Sequence, residues 1–576
     1  MECWLLPVTQ GGAENPMPRF AVSTCHYLAT DAAIDVLVAG GNVVDATVTA
    51  AFVLQVIEPH LNGPAGELVA LIHAGSSAET TCVSGVGQAP QAADMEGFDG
   101  LSLIPATGVR SAPIPGQFHA LATMLDTYGT ISLQRALRPA ASLALRGFPV
   151  TPSLHAALEA GAKGFVGGNA DSLQQWLPRG VPAVGSMVTN QALGHLLETL
   201  ISVANSTSRE RGIRSARDYW YQGPVAEAID AHVARYSGFL SFNDLAKYET
   251  ILEEPIEFRD GPYSFIKAGA WTQGAVLPLA WATFLKAQDA YDPRKGEDVH
   301  ALIECLRLAM ADRDAYLGDG FTSVTRLLQQ EYTDARAREV LPKASNAIQP
   351  GRIDGYEPWV PSTGDVDKPI SQSPWAPERL GHGDTCQVSI IDTDGNGVSM
   401  TASGGWLQSS PVIPTLGFAL STRLQQMWLD PNSPSALAPG RRPRVTLSPT
   451  LLLEEGTLRL SMGSPGGDGQ DQWQLHGLVR ILLRGMTIAQ AVSDYAFQAV
   501  SFHNSFWPRE RVHKGVLLEV DSPLEVLADL QDRGHRVFPV PAQTLGRLSI
   551  ASRDVQTGEV DAAASPRSGY ASARRA

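Results

Sequence analysis

Cysteine is scarce in this chain of 576 residues: Cys3, Cys25, Cys82, Cys305 and Cys386 are scattered, odd in number, and form no CxxC pair or Cys/His cluster. That pattern excludes a disulfide-stapled framework and a structural zinc site, and a reducing compartment fits best. Long apolar runs are missing as well. No stretch approaches the roughly 18 to 20 uninterrupted apolar residues of a membrane span. The opening MECWLLPVTQGGAENPMPRF has no basic n-region and only a short apolar run, Cys3 to Val8, so it does not read as a signal peptide. We therefore expect a soluble cytoplasmic protein with no membrane partner. Positive charge is in deficit: the net charge of −15 argues against a nucleic-acid partner. No internal repeat is apparent.

What is present is an ordinary globular balance, 44% hydrophobic and 18% charged, in a chain long enough to bury a large core without staples. Near the start, Thr30 can cap a helix through AAIDVLVA that Gly40 and Gly41 stop. Asp45 then opens ATVTAAFVLQVI, apolar on nearly every face, so an αα-hairpin with a buried second helix is predicted. EPHLNGPAGELVALI and TTCVSGV read as turn and strands. Helical segments dominate from about Gln117 to Leu317, the clearest being VHALIECLRLAMADRDAYLGD. Residues 343 to 383, rich in Pro, Gly, Ser and Asp, show neither helical nor strand period and predict a long exposed loop. TCQVSIIDTDGNGVSMTAS then alternates around a hairpin turn, and TLLLEEGTLRLSMGSP forms a second such pair ahead of the helical QWQLHGLVRILLRG. The last hundred residues alternate short helices and strands, and SPRSGYASARRA reads as a poorly ordered tail.

The junction Gly381-His382-Gly383-Asp384-Thr385 places an accessible peptide bond just before a strand. If the Thr385 hydroxyl attacks the preceding carbonyl, the product carries a free α-amine beside that hydroxyl. Nucleophile and base then share one residue, because an α-amine titrates near pH 8, roughly where it can still accept a proton. By itself, a Thr at the head of a strand is equally a β-branched residue in its preferred place.

Five segments together resemble the γ-glutamyltranspeptidase family: LATDAAIDVLVAGGNVVDATVTAAFVLQVIEPH, LRLAMADRDAYLGD, GDTCQVSIIDTDGNGVSMT, RRPRVTLSPTL and GSPGG, in the family's order and approximate spacing. The resemblance implies an α+β fold, the four-layer αββα sandwich of N-terminal-nucleophile (Ntn) hydrolases, autoprocessed into subunits that stay paired. It implies a cut between Asp384 and Thr385. The large subunit is then 1–384, with its helices and a processing loop at 343–384, and the small subunit 385–576 begins with the nucleophile. It also implies no cofactor and no metal. Carried over residue by residue, Thr385 is the nucleophile, Gly466 and Gly467 supply the oxyanion hole, and Ser403 offers a hydroxyl to the threonine. The two glycines fit a tight strand-to-helix turn equally well.

The match fails where glutamate would be recognised. A γ-glutamyl group needs a cation for its α-carboxylate and an acid for its ammonium. The family's arginine position falls at Val86, its aspartate at Gln426, and its paired serines at Val445 and Thr446. The sequence offers other groups for the pocket: Cys386, Gln387, Trp406, Gln408, Arg423, Asp468 and Asp471. Arg423 would pair with a differently placed carboxylate or lie at the surface. Asp468 would orient water, bind an amine or cap the next helix. Cys386 reads as a packed strand thiol. Three functions follow: amide or acyl-transfer chemistry on a small substrate with an altered acyl pocket; C–C bond hydrolysis of a small acidic intermediate, as in family relatives from antibiotic pathways; or a non-catalytic scaffold retaining the fold.

Overall fold

The computed structural model describes residues 18–166, 169–205, 208–287, 297–362 and 384–576. The hairpin at the start forms α1 (Tyr27–Val38) and α2 (Val43–Ile57), and all of α2 is buried. A helix that is apolar on every face has to be enclosed. The helix starts differ from the predicted ones. His26 caps α1 by accepting from the Leu28 amide at 3.1 Å, whereas the Thr30 hydroxyl is turned to Thr24 Oγ1 and the Ser572 carbonyl. Asn42 caps α2, and Asp45 is the reciprocal member of that capping box. Buried Asp45 also accepts from the Thr130 amide (2.7 Å), the Thr130 hydroxyl (2.6 Å) and the Ile131 amide (3.2 Å), tying the hairpin to the next helical segment.

Thirteen strands build two antiparallel sheets. From the first two-thirds of the chain come β1 (Phe20–Thr24), β2 (Glu67–Ala74), β3 (Glu79–Gly85), β4 (Ile251–Glu253), β5 (Ile256–Asp260) and β6 (Tyr263–Lys267). The remainder contributes β7 (Thr385–Asp392), β8 (Gly397–Ser403), β9 (Thr450–Glu454), β10 (Thr457–Gly463), β11 (Ser549–Arg553), β12 (Val560–Ala564) and β13 (Ser572–Arg575). The first sheet runs β13-β1-β7-β8-β2-β3-β4 and the second β12-β11-β10-β9-β6-β5. Helices cover both outer faces. On the first sheet lie α1, α2, α3 (Gln117–Tyr128), α4 (Leu133–Arg146) and α5 (Gln191–Val203), sharing a core with Val388, Ile390, Val398 and Met400. On the second lie α6 (Val276–Ala287), α7 (Glu297–Tyr316) and α8 (Gln470–Leu478), packed on Leu452, Leu460, Met462 and Ile550. Between the sheets, Val69, Leu71, Ile391, Leu451 and Ala551 form a third core. Three cores between four layers are the αββα sandwich.

Two further expectations need correction. The C-terminal residues are not a loose tail: β13 pairs with β1 from Ala21↔Arg575 to Thr24↔Ser572, covering an edge that would otherwise present unpaired amides. The region expected to be a helical layer also yields β4 to β6, whose alternation around Gly261-Pro262 is local and short. The region expected to be the processing loop has no helix or strand over 343–362, and residues 363–383, including Gly381-His382-Gly383, lie outside the described residues.

Removing the Asp45 carboxylate should be costly, because several buried donors lose their acceptor together. Asp45→Ala is expected to lower stability by about 3 kcal/mol, read from the midpoint of chemical denaturation. An unchanged midpoint would contradict the role given to this carboxylate.

Candidate active site

Thr385 is the first residue of β7, in the middle of its sheet, directly opposite Ser403 of β8. Alternation sends Cys386, Val388 and Ile390 into the helix-side core and turns Gln387 and Ser389 to the other sheet. Gln387 anchors that side: it donates to Ser389 Oγ (3.1 Å) and Ser399 Oγ (3.0 Å) and accepts from Thr401 Oγ1 (2.7 Å). Ser399 Oγ in turn donates to the Met462 carbonyl of β10 at 2.8 Å. The strand carrying Thr385 is thereby fixed to both sheets.

Across from Thr385, β10 ends in Ser464-Pro465-Gly466-Gly467 and α8 begins soon after. Gly466 has φ +121° and Gly467 φ +51°, and a Cβ on Gly466 would lie 2.0 Å from the Trp473 ring. Glycine is required there by both conformation and space. Thr385, Gly466 and Gly467 share a cavity of about 620 Å³ with Asp384, Trp406, Asp468 and Arg547. Its apolar walls include Phe506 and Leu545.

Asp384 is held at every polar atom of its carbonyl and side chain. Its carbonyl accepts from Ser403 Oγ at 2.6 Å and from the Trp406 indole N–H at 2.9 Å. Its carboxylate accepts from the Gly466 amide at 2.5 Å and forms an ion pair with Arg547. The Thr385 hydroxyl accepts from Gln470 Nε2 at 3.5 Å, and Gln470 Oε1 accepts from the Ser448 amide at 3.0 Å. Deeper ion pairs brace the turn. Asp468 is bound by Arg313 and by the Ser505 hydroxyl (2.6 Å) and amide (2.7 Å). Asp471 meets Lys267 at 3.2 Å and Ser448 Oγ at 2.6 Å. Burial pushes the Asp471 carboxyl up and the Lys267 ammonium down, with each partner opposing the shift. On the cavity wall, burial holds Glu58 well above the usual carboxylate range, and burial lowers His26, 3.9 Å from Glu58, to about 4.

The structure brings together Thr385, Asp384, Gly466, Gly467, Trp406 and Asp468, and sets Ser403 against them through the Asp384 carbonyl rather than the threonine hydroxyl. Asp468 neither caps α8 nor stands free for an amine, because Arg313 and Ser505 use its oxygens. Arg423 is not a surface residue. It is buried, paired with Glu67 and stacked against Trp406 and Phe506, so it supports the wall from behind. Gln426 and Thr446 are buried and are not among the lining residues, and their side-chain polar atoms have no hydrogen-bond partner. Val86 sits in the core between the sheets. Cys386 is fully buried, and burial pushes its thiol up. Two residues at the centre escaped the sequence reading. Gln470 follows the glycines closely enough to have been suspected. Arg547 is separated from Asp384 by most of the small C-terminal region, and nothing local marks it. Among the described residues, no group of three or more His, Cys, Asp or Glu is placed to hold a metal.

A family model described as gamma-glutamyltranspeptidase matches residues 29–574. The chain belongs to the γ-glutamyltranspeptidase family. It is 26% identical over 552 residues to the glutathione hydrolase proenzyme of Bacillus subtilis (strain 168), covering 93% of this chain and 88% of that one. It is 26% identical over 572 residues to the acylase ACY 1 proenzyme of Pseudomonas sp. (strain SE83), covering 94% and 93%. Among solved structures, LmbA2991HD matches with TM-score 0.90 at 35% identity over 98% of this chain and 100% of that one. Cephalosporin acylase from Bacillus halodurans matches with TM-score 0.81 at 25% identity over 100% and 99%. As a γ-glutamyltranspeptidase-like Ntn hydrolase, the chain is an enzyme of the hydrolase and acyltransferase type.

The family's glycine turn can be tested against a glycine that has only the backbone requirement. Gly320 has φ +110° and open space around it. Gly466→Ala should cost about 3 kcal/mol, combining backbone strain with a clash on Trp473, and Gly320→Ala clearly less. Equal shifts in the denaturation midpoint would show that the ring contact is not a constraint.

Proposed function

We propose that the chain is a proenzyme that cuts itself between Asp384 and Thr385. Residues 1–384 and 385–576 then remain paired as large and small subunits, and Thr385 attacks a small acyl donor. The observation that carries this reading is the Asp384 carbonyl, already polarised by Ser403 Oγ at 2.6 Å and Trp406 Nε1 at 2.9 Å. Attack on its carbon by the Thr385 hydroxyl creates an oxyanion that keeps both bonds. Collapse expels the Thr385 nitrogen, which takes up the hydroxyl proton, and leaves an ester; water then hydrolyses the ester, restoring the Thr385 hydroxyl and leaving Asp384 as the C-terminal carboxylate of residues 1–384. The freed α-amine serves as base for the adjacent hydroxyl. In turnover that hydroxyl forms an acyl ester with the substrate and expels the leaving group, and water or an acceptor removes the acyl group. The amides of the Gly466-Gly467 turn receive the second oxyanion once the new C-terminus at Asp384 has withdrawn its carboxylate from them.

The acyl pocket reads as altered from the family's glutamate pocket. Val86 and Gln426 stand where the charged contacts are expected, and both are buried away from the cavity. Of the acids lining the cavity, Asp468 is neutralised by Arg313, Glu58 is held towards its neutral form, and Asp384 becomes a free C-terminus that has to withdraw for a substrate to enter. Among the described residues, none is then left for a substrate ammonium. The same gap supports a second reading on the same machinery, hydrolysis of a C–C bond next to a carbonyl in a small acidic intermediate of an antibiotic pathway.

Intact-mass spectrometry should find a fragment beginning at Thr385 in the wild type and a single chain for Thr385→Ala. Trp406→Phe should slow cutting roughly a hundredfold, the usual effect of losing one oxyanion donor. A wild-type chain that stays whole on long incubation would end this reading. A γ-glutamyl anilide should be turned over with a kcat/KM at least roughly a hundredfold below that of the Bacillus subtilis glutathione hydrolase, since two charge-assisted contacts are missing. Comparable turnover would show that glutamate is recognised by other groups.

A further inference from the structure

Two arginines line the cavity, Arg547 and Arg567. Arg567 is committed: it binds both Glu519 oxygens, at 3.0 and 2.7 Å, and the carbonyls of Val492 and Asp494. Arg547 is paired with Asp384, and its Nε is buried with no hydrogen-bond partner. Burial lowers Arg547 to about 10, which leaves it cationic at neutral pH. If the chain is cut after Asp384, as proposed above, Asp384 becomes the free C-terminus of residues 1–384, and once that terminus withdraws from the cavity the cation loses the acid it now holds. The carboxylates on the wall do not replace it: Asp468 is bound by Arg313, and burial holds Glu58 towards its neutral form. The Cys25 thiol, shifted down first by its hydrogen bond with Cys386, also faces the guanidinium, but as part of the wall it offsets the charge without filling the seat that Asp384 leaves. A desolvated cation without a counter-ion is costly, and an anion that enters the cavity relieves that cost.

The Asp384 carboxylate also shows what shape of anion fits, because one oxygen takes the Gly466 amide at 2.5 Å while the other takes Arg547. We infer that Asp384 occupies the substrate's place in the uncut chain, and that in the mature site Arg547 receives a carboxylate of the acyl donor while the Gly466 amide receives the oxygen of its reacting carbonyl. Since a single carboxylate bridges both donors, the two substrate groups must be close. The acyl donor therefore carries its carboxylate directly on the reacting carbonyl or separated from it by a single carbon. A γ-glutamyl group, with its carboxylate at the far end of a propyl chain, does not fit this spacing. The uncut chain is plugged by its own side chain, which fills both the cation and the oxyanion donor until the cut is made.

The idea rests on the cut at Thr385 for its biological meaning, but the seat can be tested without any cutting. In the Thr385→Ala chain, which keeps the peptide bond, malonate binding is measured by calorimetry and by the rise in melting temperature, with neutral malonamide as the control. With Asp384 in place, malonate should bind roughly ten- to hundredfold more weakly than after Asp384→Ala is added. Arg547→Gln, added to that double variant, should abolish the gain, and Arg547→Lys should keep part of it. Malonate binding that ignores Asp384, survives Arg547→Gln, or does no better than malonamide overturns the inference. Should Arg547→Gln fail to fold, the malonate-to-malonamide comparison and Arg547→Lys still decide. A wild-type chain that never cuts would refute the self-processing reading while leaving the malonate result to stand or fall by itself.

Discussion

The site depends on how one residue is clamped. Asp384 has its carbonyl between a serine of β8 and a tryptophan of the following loop, and its carboxylate between a glycine amide and Arg547. These donors come from three separate segments, at 403–406, 466 and 547, on both sheets and on the loops that end them. Only when the sheets face each other in the right register do they converge on one peptide. The fold therefore holds the Asp384–Thr385 bond at the edge of a cavity, with its carbonyl accepting two hydrogen bonds and its flanking carboxylate set between the Gly466 amide and Arg547.

The supporting chemistry is layered around that clamp. Away from the site, the space between the sheets is filled by aliphatic side chains such as Leu71, Ile391 and Leu451. Close to the site it becomes polar, with Gln387, Ser389, Ser399 and Thr401 bonded to one another and to β10. Such a network cannot slide without leaving buried groups unsatisfied, so it fixes the register of β7 more firmly than apolar contacts would. Beyond it, Arg313–Asp468 and Lys267–Asp471 hold the glycine turn and the start of α8. Their value lies in geometry: buried pairs contribute little net stability but are expensive to break.

Much of this was legible in the chain. The buried second helix follows from an apolar run on all faces, the hairpin carrying Thr385 from strict alternation around DTDGNG, and the glycine turn from GSPGG between a strand and a helix pattern. The uncharged Val86 and Gln426, at the positions where the resemblance places Arg and Asp, could also be read. Other features were misread for local reasons. Thr30 has the right residue type for a cap, yet β1 delivers the chain to His26 first. SPRSGYASARRA has the composition of a tail, yet an open sheet edge was waiting for it. The strands at 251–267 are too short to stand out against the helices around them.

The sequence by itself determined the family, through motifs that are contiguous in the chain, and the resemblance implied the order of the layers; alternation placed Thr385 at the head of a strand. Tertiary structure alone decided which charges reach the cavity. Arg423, a natural candidate by type and position, is spent on Glu67 behind the wall, while Arg547, with nothing around it to draw attention, meets Asp384. The reason is physical: the state of a charged group depends on which partners and how much water surround it, and those are set by packing between segments that lie far apart in the chain.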